Sequence, residues 1–79
     1  MRGKVKSAIL GDSTIDVMRF IVKFTQEHKG VTPTVREIVK GMGYSSTSVA
    51  GYHLKALQRA GYIERPRPGS YGMAILKQP

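Results

Sequence analysis

Apolar positions recur at helical spacing in three successive spans of this chain, and then the period shortens toward that of a strand. In the first span Val17, Phe20, Ile21 and Phe24 share one side, with Met18 on the flank. Arg19, Lys23, Gln26 and Glu27 fall mostly on the opposite side, which predicts an amphipathic helix with one buried stripe. Asp12 or Ser13 suits its cap, Gly30 its end, and His28 and Lys29 the negative end of its dipole. The second span carries Val35, Ile38, Val39 and Met42 as its stripe. Thr34 followed by Glu37 predicts a capping box: the hydroxyl accepts from the Glu37 amide while the carboxylate reaches back. Pro33 discourages Thr32 from joining that helix. Gly43 fits a left-handed closing residue, with Tyr44 folding back toward Val39. Gly41, inside the last turn, costs about 1 kcal/mol against alanine.

The third span opens in a hydroxyl cluster, Ser45, Ser46, Thr47 and Ser48, which suits an N-cap and first turn. Ala50, Leu54 and Leu57 lie on one face, with Val49, His53 and Ala60 beside it. Gly61 supplies a left-handed cap, and Tyr62 is spaced to pack back on Leu57. Two short helices around a glycine-marked turn form a helix-turn-helix pattern. Beyond it, residues 62–65 predict a short strand and residues 71–76 a returning one, joined through Pro66, Arg67, Pro68, Gly69 and Ser70. The two prolines also keep this basic tip from pairing with another chain. The expected fold is α+β: a winged helix-turn-helix of three helices followed by a two-stranded hairpin wing. Residues 1–12 alternate Arg2, Lys4 and Lys6 with Gly3, Val5 and Ser7. That alternation fits either a short N-terminal strand at a sheet edge or a basic arm, ahead of a winged domain over residues 13–77.

Composition narrows the chemistry. At 79 residues the chain makes one small domain, which buries only roughly 60% of its unfolded surface and needs most of its apolar residues for the core. It has no cysteine, and its two histidines, His28 and His53, share no ligand pattern, so neither a disulfide, a metal nor a cofactor is expected. Thirteen Lys and Arg against five Asp and Glu leave a formal charge of +8, with a pI near 10.2. In so small a domain that balance is the footprint of a nucleic-acid binder. No apolar run reaches spanning length, and the apolar part of MRGKVKSAIL is too short for a signal peptide, so the expectation is a cytoplasmic protein without membrane contact. No nucleophile elbow, Gly-rich phosphate loop or paired carboxylate appears, so no enzyme is expected.

The run from Pro33 to Arg65 carries a more specific signal. Its Pro-Thr-x-x-Glu-Ile start, Gly-aromatic turn and Ser cluster, and its HLKAL run followed by Gly-Tyr-Ile, resemble the DNA-binding domain of the LexA repressor family. The likeness covers about residues 13–76 and is weaker in the first helix. It implies a winged helix that binds DNA in transcription regulation, with Thr34 and Arg36 near the DNA backbone. Family members continue into a self-cleaving peptidase domain that also dimerises; this chain stops at Pro79, and self-cleavage is not carried over. Where the family tends to place asparagine early in the recognition helix this chain has Ser48, and Gly51 and Tyr52 replace acidic base-contacting residues. The family's operator sequence is therefore not carried over either.

With a recognition helix at about residues 46–60 in the major groove, Ser46, Thr47, Ser48, Gly51, Tyr52 and Lys55 point outward. Hydroxyls can donate or accept, so they read base edges with little discrimination. Tyr52 suits a thymine methyl or a phosphate; the plainer alternative is a half-exposed surface aromatic. Gly51 allows a close backbone approach to DNA, or else serves packing within the domain. Arg65 and Arg67 in the wing, residues 65–71, suit a phosphate or the minor groove. The expected partner is double-stranded DNA, met by a chain that is monomeric in solution and pairs only on adjacent half-sites. The alternative is a winged-helix module that docks a polymerase or replication partner. Basic residues gathered on the third-helix and wing side favour DNA; a neutral or apolar patch there favours the protein.

Overall fold

The computed structural model describes residues 11–64 and 73–78. Three helices, α1 (Asp12–Glu27), α2 (Val35–Met42) and α3 (Thr47–Arg59), precede two short strands, β1 (Ile63–Glu64) and β2 (Ala74–Ile75). The strands pair antiparallel, Ile63 opposite Ile75 and Glu64 opposite Ala74. This is the expected α+β winged helix-turn-helix. The paired segments are shorter than the strands predicted, and the tip with Arg65 and Arg67, like the N-terminal residues 1–10, lies outside the described residues.

All three helices pack on one another around a single core. Val17, Met18 and Ile21 from α1, Ile38 from α2, Ala50, Leu54 and Leu57 from α3, and Ile63 from β1 are fully or almost fully buried. Each large aliphatic there contributes about 1.5–3 kcal/mol through burial. The inward stripe of α1 differs from the one expected. It runs through Thr14, Val17, Met18 and Ile21, so Met18 is central rather than on the flank. Phe20 packs on the core only half-buried. Phe24 stacks on the His28 ring instead, centroids 3.8 Å apart.

The ends of α1 also depart from expectation. Its N-cap is Gly11 in extended backbone, without a side-chain cap bond; Asp12 lies in the first turn and serves the dipole instead of the cap. The helix stops at Glu27 and not at Gly30. Lys29 and Gly30 follow in left-handed backbone, and the Gly30 amide donates to the Thr25 carbonyl at 2.9 Å. His28 Nδ1 donates to the Phe24 carbonyl at 2.7 Å, so the ring itself closes the C-terminus.

The helix pair forms as its caps dictate. The Thr34 hydroxyl accepts from the Glu37 amide at 3.1 Å, and the Thr34 amide donates to Glu37 Oε1 at 2.8 Å, completing the capping box. Gly43 closes α2 at φ 73°, and the Tyr44 amide donates to the Val39 carbonyl at 3.0 Å. At the end of α3 the Tyr62 amide donates to the Leu57 carbonyl at 2.9 Å across Gly61. Gly41 has a packing reason the pattern did not reveal. A Cβ there would run into the Cε1–Cζ edge of the half-buried Phe20 ring, so the ring takes the space of a side chain and would have to shift to admit one. The wing's return is tied down twice: the Met73 amide donates to the Thr32 hydroxyl at 3.0 Å, and the Leu76 amide to the Tyr62 carbonyl at 2.8 Å.

Candidate nucleic-acid interface

The core demands one face of α3 and leaves the other to solvent. Ala50, His53, Leu54 and Leu57 point inward. Ser46, Thr47, Ser48, Tyr52 and Lys55 are exposed and Gly51 is half-buried, so the six positions singled out on this helix all lie off its core stripe. Ser46 sits at the N-cap in extended backbone, yet its side chain makes no cap hydrogen bond. Tyr52 is 69% exposed. A Cβ at Gly51 would meet nothing within 4 Å, so packing within the described residues does not require glycine there. Thr34 and Arg36 are exposed at the start of α2, with the Thr34 hydroxyl engaged in the capping box. Arg65 and Arg67 lie outside the described residues, so the six positions on α3 and its N-cap and the two at the N-cap and first turn of α2 can be placed.

Charge is divided unevenly between the helices. In α1, Arg19 and Lys23 stand against Asp12, Asp16 and Glu27; in α3, Lys55 and Arg59 stand against no carboxylate. The Asp16–Arg19 pair, 3.7 Å apart and well exposed, contributes little to stability.

Behind the exposed face lies a buried polar contact that sequence reasoning missed. Thr14 Oγ1 of α1 and His53 Nδ1 of α3 are hydrogen-bonded at 2.8 Å. Both residues are buried, so the bond satisfies groups that would otherwise be costly to desolvate. The His53 ring stacks on Tyr44 at 5.7 Å and 26°, and meets Tyr52 edge-on at 5.3 Å and 72°. Burial, with the nearby Asp16 charge adding to it, pushes the Tyr44 phenol above its ordinary pKa. A signal for the inward position of Thr14 was present, since it precedes Val17, Met18 and Ile21 at helical spacing, but not for its partner. Among the described residues no cluster of His, Cys, Asp or Glu could hold a metal. None of the helices described is long and apolar enough to cross a membrane.

The family model for the LexA DNA binding domain matches residues 9–70 of this chain. The chain belongs to that family. Among curated relatives, the LexA repressor of Roseiflexus sp. is 48% identical over 60 residues, 76% of this chain and 27% of the relative. Those of Desulfatibacillum aliphaticivorans and Clostridium novyi are 40% and 43% identical, over 80% and 86% of this chain. This LexA-type domain thus spans about a third or less of the relatives it matches, at 27%, 30% and 33% of their lengths. The match to a DNA-binding domain does not favour the protein-docking alternative.

Proposed function

We propose that this LexA-type domain binds double-stranded DNA with sequence preference and belongs to a transcriptional regulator, a repressor by likeness to its relatives. The observation that carries this is the division of α3, whose inner face builds the core while its outer face offers hydroxyls, an aromatic ring and Lys55 without a carboxylate. On this reading α3 lies in the major groove, where Ser46, Thr47, Ser48, Gly51, Tyr52 and Lys55 meet base edges and sugar-phosphate. Thr34 and Arg36 anchor the start of α2 to phosphate, and Arg65 and Arg67 carry the wing onto the backbone or into the minor groove. The module binds and performs no reaction of its own. It is cytoplasmic and monomeric in solution, pairing only on adjacent half-sites; its core takes most of its apolar residues, and among those described only Val31, Tyr52 and Leu76 are large, apolar and exposed.

Titration of duplex DNA at several salt concentrations tests the proposal. Roughly four to six phosphate contacts give a slope of about −4 to −5 for log affinity against log salt. Absence of binding at low salt overturns it. A site selected from random duplexes then separates reading from anchoring. Ser48→Ala and Tyr52→Ala weaken that site more than random DNA, whereas Arg65→Ala with Arg67→Ala weakens both alike and flattens the slope.

A further inference from the structure

In the major groove cytosine is marked by an amino donor that calls for an acceptor, and thymine by a 5-methyl group that calls for an apolar surface. From Thr47 to Arg59 the α3 sequence holds no carboxylate to serve as a dedicated acceptor, and its outward hydroxyls donate as readily as they accept. It does hold one large exposed apolar side chain, Tyr52. Beside it Gly51 carries no side chain, and the space a Cβ would enter is open. The backbone at this point can therefore come closer to the groove floor than any other residue would allow.

The Tyr52 ring, though 69% exposed, has one aromatic neighbour within the domain. It meets the His53 ring in a T-shaped contact at 5.3 Å, and that histidine has two further partners. The Thr14 hydroxyl bonds Nδ1 at 2.8 Å, and the Tyr44 ring stacks on the imidazole. A side chain ordered before contact loses less entropy on binding, so its apolar edge discriminates more sharply than a free tyrosine would.

We infer that Tyr52 reads the 5-methyl group of a pyrimidine, thymine or its 5-methylcytosine equivalent, with Gly51 giving the clearance and Thr14 and His53 acting as positioning residues. The inference rests on the proposal that α3 reads the major groove. Its test starts from a duplex selected by the full chain, in which each thymine is replaced in turn by deoxyuridine, removing the methyl and nothing else. At one thymine per half-site the change should lower affinity about fourfold, the worth of one buried carbon, with no effect elsewhere. Tyr52→Phe should keep this discrimination and Tyr52→Ala should abolish it. Thr14→Val should shrink it while affinity for random DNA holds, and Thr14→Ser should restore it. The uracil and Tyr52→Phe arms leave the core untouched, so the test does not depend on how the Thr14 variants fold. Equal affinity for every uracil-substituted site overturns methyl reading and leaves the DNA proposal standing. A Tyr52→Ala variant that loses affinity for every duplex but keeps the thymine–uracil difference overturns it in favour of a phenol–phosphate contact. Failure to bind any duplex overturns the underlying proposal as well.

Discussion

Helices α2 and α3 begin alike and each holds an internal glycine, but the two use these residues in opposite directions. At the start of α2 the Thr34 hydroxyl is taken up by the Glu37 amide, while Ser46 at the start of α3 makes no cap bond. Gly41 in α2 is filled by the Phe20 ring, while Gly51 in α3 opens onto empty space. In α2 each local device closes inward and holds the fold together. In α3 the same residue types leave polar groups and room on the surface. A hydroxyl or a glycine is therefore not structural or functional by type; what decides is whether the rest of the domain already occupies the space beside it.

Exchanging these residues one at a time tests the contrast. Gly41→Ala should have the largest effect, lowering stability by up to about 2 kcal/mol. The overpacking penalty of about 1–3 kcal/mol is partly offset by roughly 1 kcal/mol of improved helix propensity. A double-mutant cycle in urea with Phe20→Leu should show the two coupled; a neutral Gly41→Ala would mean that the ring contact is not what keeps glycine there. Thr34→Ala comes next, with a loss of about 1 kcal/mol that Thr34→Ser largely restores. Gly51→Ala should shift the same denaturation curve the other way, by up to about 1 kcal/mol, while weakening binding to a selected DNA site. A more stable variant with undiminished affinity would show that the open space is not used in binding. Ser46→Ala should change stability least, within about 0.5 kcal/mol, and its effect should be confined to DNA affinity. If it destabilised as much as Thr34→Ala, the two helix starts would be equivalent.

Much of this architecture was legible because it is written in local chemistry. The capping box at Thr34, the left-handed glycines at Gly43 and Gly61, and the inward face Ala50–Leu54–Leu57 each depend on neighbours within a turn or so. What could not be read in this way depends on distant partners. The size of Phe20 and Phe24 suggested a stripe rotated away from the true one, because the buried side of α1 runs through Thr14, Val17, Met18 and Ile21. The Phe20–Gly41 fit and the Thr14–His53 bond join residues far apart in the chain, and neither residue type announces its partner. At the candidate interface the exposed positions on α3 followed from the inward ones by helical period alone. The row of rings behind Tyr52 did not, since it requires Tyr44 in the turn to lie against α3.

The bond between the Met73 amide and the Thr32 hydroxyl spans a sequence separation of 41. Closing so long a loop carries an entropic cost, and a bond to one half-buried side chain belongs to the low-stability end of local opening. Hydrogen exchange should resolve this as two clocks. The Met73 amide, held by one half-buried side chain, exchanges through a small local opening, while helix amides around Ile21 and Leu54 wait for the core to unfold. Thr32→Val would then quicken the first clock and leave the second unchanged. The tie between Met73 and Thr32 can in this way open and close while α3 keeps its place, which separates the adjustable part of a protein surface from the part that must stay rigid.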